Sequence, residues 1–175
     1  MLQLHLFFEA LVASWRAAPG VRRRALEQRG FPVHDGGCLV FRVPPDWREE
    51  IALSGARSTV AFRTPARQEA LLRISMQPLS AQESAAFSIE KMRLEVEQAA
   101  GRAGRDGNAA RMETLASRFG GGFHFSTLQQ GRWLTQGKFL VRPVLLEFRI
   151  QTSPAEGRLH ADALDLVRSA RASSG

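Results

Sequence analysis

At 175 residues and 44% hydrophobic content, the chain is long enough for one domain whose core needs neither metal nor cross-link. Its single cysteine, Cys38, excludes an internal disulfide and leaves the compartment undecided. A formal charge of +7 admits nucleic acid or an anionic surface as partner. Outside Arg22, Arg23, Arg24 and Arg29, however, the arginines stand singly beside acids, as in Arg48-Glu49-Glu50, and no stacking aromatics alternate with them, so nucleic-acid binding is not expected.

The first segment, MLQLHLFFEALVASWRAAPG, has the apolar start and small residues of a signal peptide, but no Lys or Arg precedes the apolar stretch and His5 and Glu9 interrupt it. A degraded signal peptide, a misplaced start codon and an amphipathic helix lying on the domain all remain open. The stretch is too short and too polar to span a bilayer. Residues 20 to 37 are rich in charge, glycine and proline and read as a linker or short helix, with His34-Asp35 as a solvated turn. The expected division is an N-terminal segment over 1–36, a domain over 37–171 and a frayed tail over 172–175.

CLVFRV, residues 38 to 43, alternates as a strand does, and Pro44-Pro45 ends it because neither proline donates to a ladder. Cys38, opening that strand, is expected as a buried, inert thiol. Two more strands are predicted at STVAFR, residues 58 to 63, and ALLRISM, residues 70 to 76. Ser80 and Glu83 form a capping-box pattern for one helix, whose apolar stripe is Ala85, Ile89, Met92, Val96 and Ala99 and whose stop is GRAGRDGN.

The remainder reads as a meander: RMETLASRF, GFHFST, a turn through Gln129-Gln130-Gly131, RWLTQGKFLV and VLLEFRIQT. In the last, Val144, Leu146, Phe148 and Ile150 share one face while Leu145, Glu147, Arg149 and Gln151 share the other. A closing helix places Leu159, Ala163, Leu166, Val167 and Ala170 together. This order predicts an α+β fold, an antiparallel sheet covered by helices.

Three patterns in this order resemble the PsbP/Mog1 superfamily over residues 37 to 171. They are the strand ending in FRVPPDW, the central helix after a short strand pair, and GKFLVRPVLLEFRI followed by the closing helix ALDLVRSAR. Gly122-Phe123-His124-Phe125-Ser126 followed by Thr135-Gln136-Gly137 is similar to a group of uncharacterised, mostly exported bacterial proteins of that superfamily. The resemblance implies a PsbP/Mog1-like α/β/α sandwich and a non-enzymatic role. Its members include extrinsic subunits of the oxygen-evolving complex, a transport factor that binds a small GTPase, and chaperones for secretion effectors. It supplies no catalytic residue and no cofactor.

The residues themselves agree with that implication. His5, His34, His124 and His160 are far apart with no paired spacing, no serine sits in a nucleophile elbow, and the glycines of GRAGRDG follow a helix rather than a strand. Neither a catalytic residue, a metal nor a cofactor is therefore expected.

Two readings of GGGFHF compete. In one, Phe123 and Phe125 are core, His124 is a surface residue, and Gly120 to Gly122 form a turn or bulge. In the other, His124, Trp133, Gln136 and Lys138 surround one concave sheet face with an aromatic floor for a peptide, lipid or helix. Trp47 is a further candidate anchor, with core packing as its competing role. The leading expectation is a binding or assembly factor of the bacterial cell envelope or periplasm with a protein or peptide partner, a lipid or small apolar ligand being the other kind considered. A cytoplasmic chaperone shielding apolar helices of a secreted client is the alternative. An enzyme with a loop-assembled site is the third.

Overall fold

Strand alternation sets the architecture. The computed structural model describes residues 26–33, 37–54, 57–104 and 110–173. In chain order these form β1 (Glu27–Val33), β2 (Gly37–Val43), β3 (Arg48–Ser54), β4 (Arg57–Arg63), β5 (Leu72–Pro78), α1 (Ala81–Ala86) and α2 (Ile89–Ala103). There follow β6 (Met112–Ala116), β7 (Gly121–Gln129), β8 (Arg132–Val141), β9 (Val144–Thr152), a 3-10 turn (Pro154–Glu156), α3 (Gly157–Arg168) and β10 (Arg171–Ala172).

A seven-stranded antiparallel sheet runs β3-β4-β5-β9-β8-β7-β6, and a three-stranded sheet runs β1-β2-β10. The alternation read in β9 becomes the two faces of the large sheet. Val144, Leu146, Phe148 and Ile150 enter the main core with Val60, Phe62, Ile74 and Phe139. The opposing layer is the small sheet, through Phe31, Leu39 and Phe41, together with α3, through Ala163, Leu166 and Val167. Phe31 meets Phe41 and Phe62 edge-on, at centroid distances of 5.6 and 5.5 Å, the arrangement that aromatic quadrupoles favour. Among the described residues the outer face is covered in part by α2, whose Met92, Val96 and Ala100 pack on Leu140, Leu145, Phe123 and Phe125.

Four local expectations change. Glu27–Val33 is a strand rather than a linker or short helix, because pairing with β2 over the whole length satisfies its backbone. Arg48–Ser54 is an edge strand that its three leading charged residues concealed. The predicted single helix is two: Ser80 caps α1 with both bonds of the capping box, and Ser88 restarts the chain as the N-cap of α2. The stripe accordingly shifts to Met92, Val96 and Ala100, leaving Ile89 exposed. Cys38 is half-buried rather than buried, since it shares the outer side of β2 with half-buried Val40.

The closing helix is as expected. The N-terminal segment to residue 25, the His34-Asp35 turn and Arg105 to Ala109 of the glycine-rich stop lie outside the described residues. No described helix is long and apolar enough to cross a membrane.

Candidate functional site

Trp47 is placed in the core and not on a partner surface. Its backbone N–H donates to the Pro44 carbonyl at 3.0 Å, so the Pro44-Pro45 turn folds the indole inward against Phe62 and leaves it 1% exposed. Arg29 donates to the Trp47 carbonyl at 2.8 Å and fixes that turn from outside.

The other four candidates do not share one face. The β7–β8 hairpin turns at Gln130 (φ 49°) and Gly131 (φ 73°), the two left-handed residues of a type I′ turn. That turn pairs His124 with Gly137, Phe125 with Gln136, Phe123 with Lys138 and Leu128 with Trp133. His124 and Trp133 therefore belong to the inner side, whereas Gln136 and Lys138 belong to the outer one with Phe123 and Phe125. A concave site made of all four does not form.

His124 is also not a surface residue. It is 3% exposed, and its ring lies beside Phe148 across the gap left by Gly137. Its Nε2 is 3.9 Å from Glu113 Oε2, and its Nδ1 has no hydrogen-bond partner. Close by, Ser126 Oγ and Thr135 Oγ1 are 2.6 Å apart, and Thr135 Oγ1 is 2.8 Å from His160 Nε2 on α3. Sequence reading missed this chain because its members come from β7, β8 and α3. Thr135 is fully buried, so the hydroxyl–imidazole contact satisfies an interior polar group. Among the described residues, no three of His, Cys, Asp and Glu gather in a group that would hold a metal ion.

Burial lowers the pKa of His124, opposed by the Glu113 carboxylate and reinforced by the charges of His160 and Arg168; burial likewise lowers that of His160 against Glu113. Both imidazoles are thus held neutral in the fold while the unfolded chain protonates at 6.5. The unfolded state then binds more protons, so stability is complete above that value and declines as pH falls below it toward the folded pKa values. The thermal midpoint is expected to drop between about pH 7 and about pH 5. In His160→Gln, which keeps a hydrogen-bonding group near Thr135, the drop should be shallower; an unchanged slope would dissociate the pair from the acid sensitivity.

On the outer face, Lys138 bridges α2 and the sheet, 2.7 Å from Glu95 and 3.1 Å from Glu147. Burial pulls its pKa down, but the two carboxylates more than offset this and hold it above the usual lysine value. Beyond Lys138 no helix of the described residues lies over the face. One row there runs Glu50, Ala61, Arg73, Arg149 and Gln136, and the next runs Thr59, Ser75, Glu147 and Lys138. Between the C-terminal end of α2 and β7–β9 lies a hollow of about 510 Å³, lined by Thr127, Leu134, Arg149 and Gln151 among others. The polar side of β9 was visible in its alternation, but the Arg73–Arg149 juxtaposition needed the β5–β9 register.

No protein-family model and no curated protein sequence matches the chain. Solved structures do. Cyanobacterial PsbP (CyanoP) from Synechocystis sp. PCC 6803 superposes with a TM-score of 0.54 at 13% identity, covering 90% of this chain and 98% of that one. The Ran-binding protein Mog1p of Saccharomyces cerevisiae superposes with a TM-score of 0.50 at 14% identity, covering 83% of this chain and 95% of that one. Two antiparallel sheets layered with helices, superposing on both neighbours over most of their length, make this a PsbP/Mog1-like α+β fold.

Proposed function

We propose that the protein is a non-catalytic binding or assembly factor of the bacterial cell envelope, which needs no cofactor and holds a protein or peptide partner on the open part of its outer sheet face. The observation that carries this reading is the uneven cover of that face. The sheet is layered on its inner side by β1-β2-β10 and α3, but on its outer side α2 packs chiefly on β7, so that among the described residues no element packs over the rows from β4, β5 and β9. An antiparallel sheet can leave one face to solvent, and such a face is open to a partner. Mog1p, described as a Ran-binding protein, gives the fold a precedent for holding another protein.

The free rows carry Arg73, Ser75, Gln136, Glu147 and Arg149, so they suit a polar segment better than an apolar client helix or a lipid chain. A photoreactive amino acid in place of Ser75 or Gln136, activated in the native cells, should give a discrete protein adduct that fractionates with the envelope. The same group at Arg158 on α3 should give none. An adduct from Arg158 alone, or none from the open face, would overturn the reading.

A further inference from the structure

Arg73 and Arg149 are register partners on β5 and β9, facing one another on the open outer face, and both are exposed. Like charges set directly opposite on neighbouring strands repel and destabilise the pair. Arg48 and Arg63 also stand opposite one another, on β3 and β4, but there and at several other places a neighbouring carboxylate matches the charge. Arg63 reaches Glu50 at 2.6 Å, Arg132 reaches Glu69 at 2.8 Å, and Glu147 is taken by Lys138 at 3.1 Å with Arg57 at 3.9 Å. Glu50 lies in the same row as the arginine pair yet turns to Arg63, and Glu147, one row away, is already shared. The carboxylates of Glu50 and Glu147 are thus engaged, and two exposed arginines remain at opposite register positions in a chain of net charge +7.

Arg149 also lines the hollow at the end of α2. There the Thr127 hydroxyl is buried without a hydrogen-bond partner, and Gln151 and Arg132 complete a lining rich in donors. A guanidinium pair beside a donor-lined hollow is chemistry suited to carboxylates, which accept fork-like paired N–H bonds.

Resting on the reading of this face as the partner surface, we infer that its occupant is an acidic segment of a protein, with carboxylates laid across Arg73 and Arg149 and toward the hollow. A nucleic-acid strand fits less well. Among the described residues the face offers no exposed aromatic for base stacking, since Phe123 and Phe125 lie under α2 and Trp133 belongs to the other side, and Glu147 and Glu50 would oppose a continuous run of phosphates.

The test uses the full chain, labelled with nitrogen-15 and titrated at low ionic strength with a capped Leu-Asp-Glu-Asp-Leu peptide, its Leu-Asn-Gln-Asn-Leu counterpart and oligothymidylate. The acidic peptide should shift the amides of β5 and β9 around Arg73 and Arg149. Its affinity should fall by about tenfold or more in Arg73→Gln/Arg149→Gln and stay unchanged in the charge-matched Arg118→Gln/Arg158→Gln. Equal binding of the neutral peptide at the same amides would overturn the acidic inference and leave the partner surface standing. Equal weakening by both double variants, shifts scattered over the whole surface, or no shift at all would overturn it as well. Tighter binding of oligothymidylate at these residues would replace it with a nucleic-acid site.

Discussion

Gly122→Ala is expected to remove most of the stability of the fold, a loss of ~4 kcal/mol or more, beyond the range of ordinary overpacking. Gly122 lies in β7 where the backbone of β8 crosses closest. A Cβ there would overlap the Lys138 carbonyl oxygen and stand 2.8 Å from Phe139 Cα. These are backbone atoms of the paired strand, near the end of the hairpin away from its turn and between β6 and β8, so relief requires β7 to pull away from β8 there. That would open the register carrying both the His124 and the Gln136 sides of the strand.

Gly101 in α2 is the matched control, because a Cβ there meets nothing within 4 Å. Gly101→Ala should stabilise by about 0.5–1 kcal/mol through helix propensity and a more restricted unfolded chain. Urea or thermal unfolding of the two variants should therefore move in opposite directions. Should Gly122→Ala give too little folded protein to titrate, the soluble fraction on expression provides the same comparison. Equal midpoints for Gly122→Ala and the unaltered chain would show that the β7–β8 approach is looser than described.

The fate of this glycine-rich stretch shows how much of the molecule the sequence made legible. Elements whose own residues carry the signal are recovered: the alternation of β9, the capping box at Ser80, and the apolar stripe of α3. Strand β1 was obscured because Gly30 and Pro32 weaken its local propensity, and only pairing with β2 makes it a strand. The site was less legible because it depends on register. A turn read as Gln129-Gln130-Gly131 would set His124 opposite Gln136; the two-residue turn at Gln130-Gly131 sets it opposite Gly137 and moves Gln136 and Lys138 to the far face. A slip of one residue reverses every side chain of a strand. His124 is buried beside Phe148 of β9, which only the β7–β8–β9 register brings to it, and nothing in GFHFS announces it. The arginine pair likewise exists only through β5 meeting β9, two strands separated in sequence by both outer helices and three strands.

Trp47 supplies the second large effect, because core anchor and exposed partner anchor make opposite demands on the free protein. The indole is 1% exposed, sits within the main core and lies 6.4 Å from the Phe62 ring. Truncation to alanine removes a large apolar volume between two sheets that cannot both collapse onto the space, so Trp47→Ala should cost about 3–5 kcal/mol. The indole also brings a liability, since its Nε1 is buried with no hydrogen-bond partner. Phenylalanine keeps much of the ring contact and removes that unsatisfied donor, which offsets part of the lost volume. Trp47→Phe should therefore unfold close to the unaltered chain, within about 1.5 kcal/mol, while Trp47→Ala falls well below both. Were Trp47 a partner anchor on the surface, alanine would leave the unfolding midpoint nearly in place and weaken partner binding instead. Denaturation curves of the three proteins in isolation separate these roles, since the core role alone lowers stability when no partner is present.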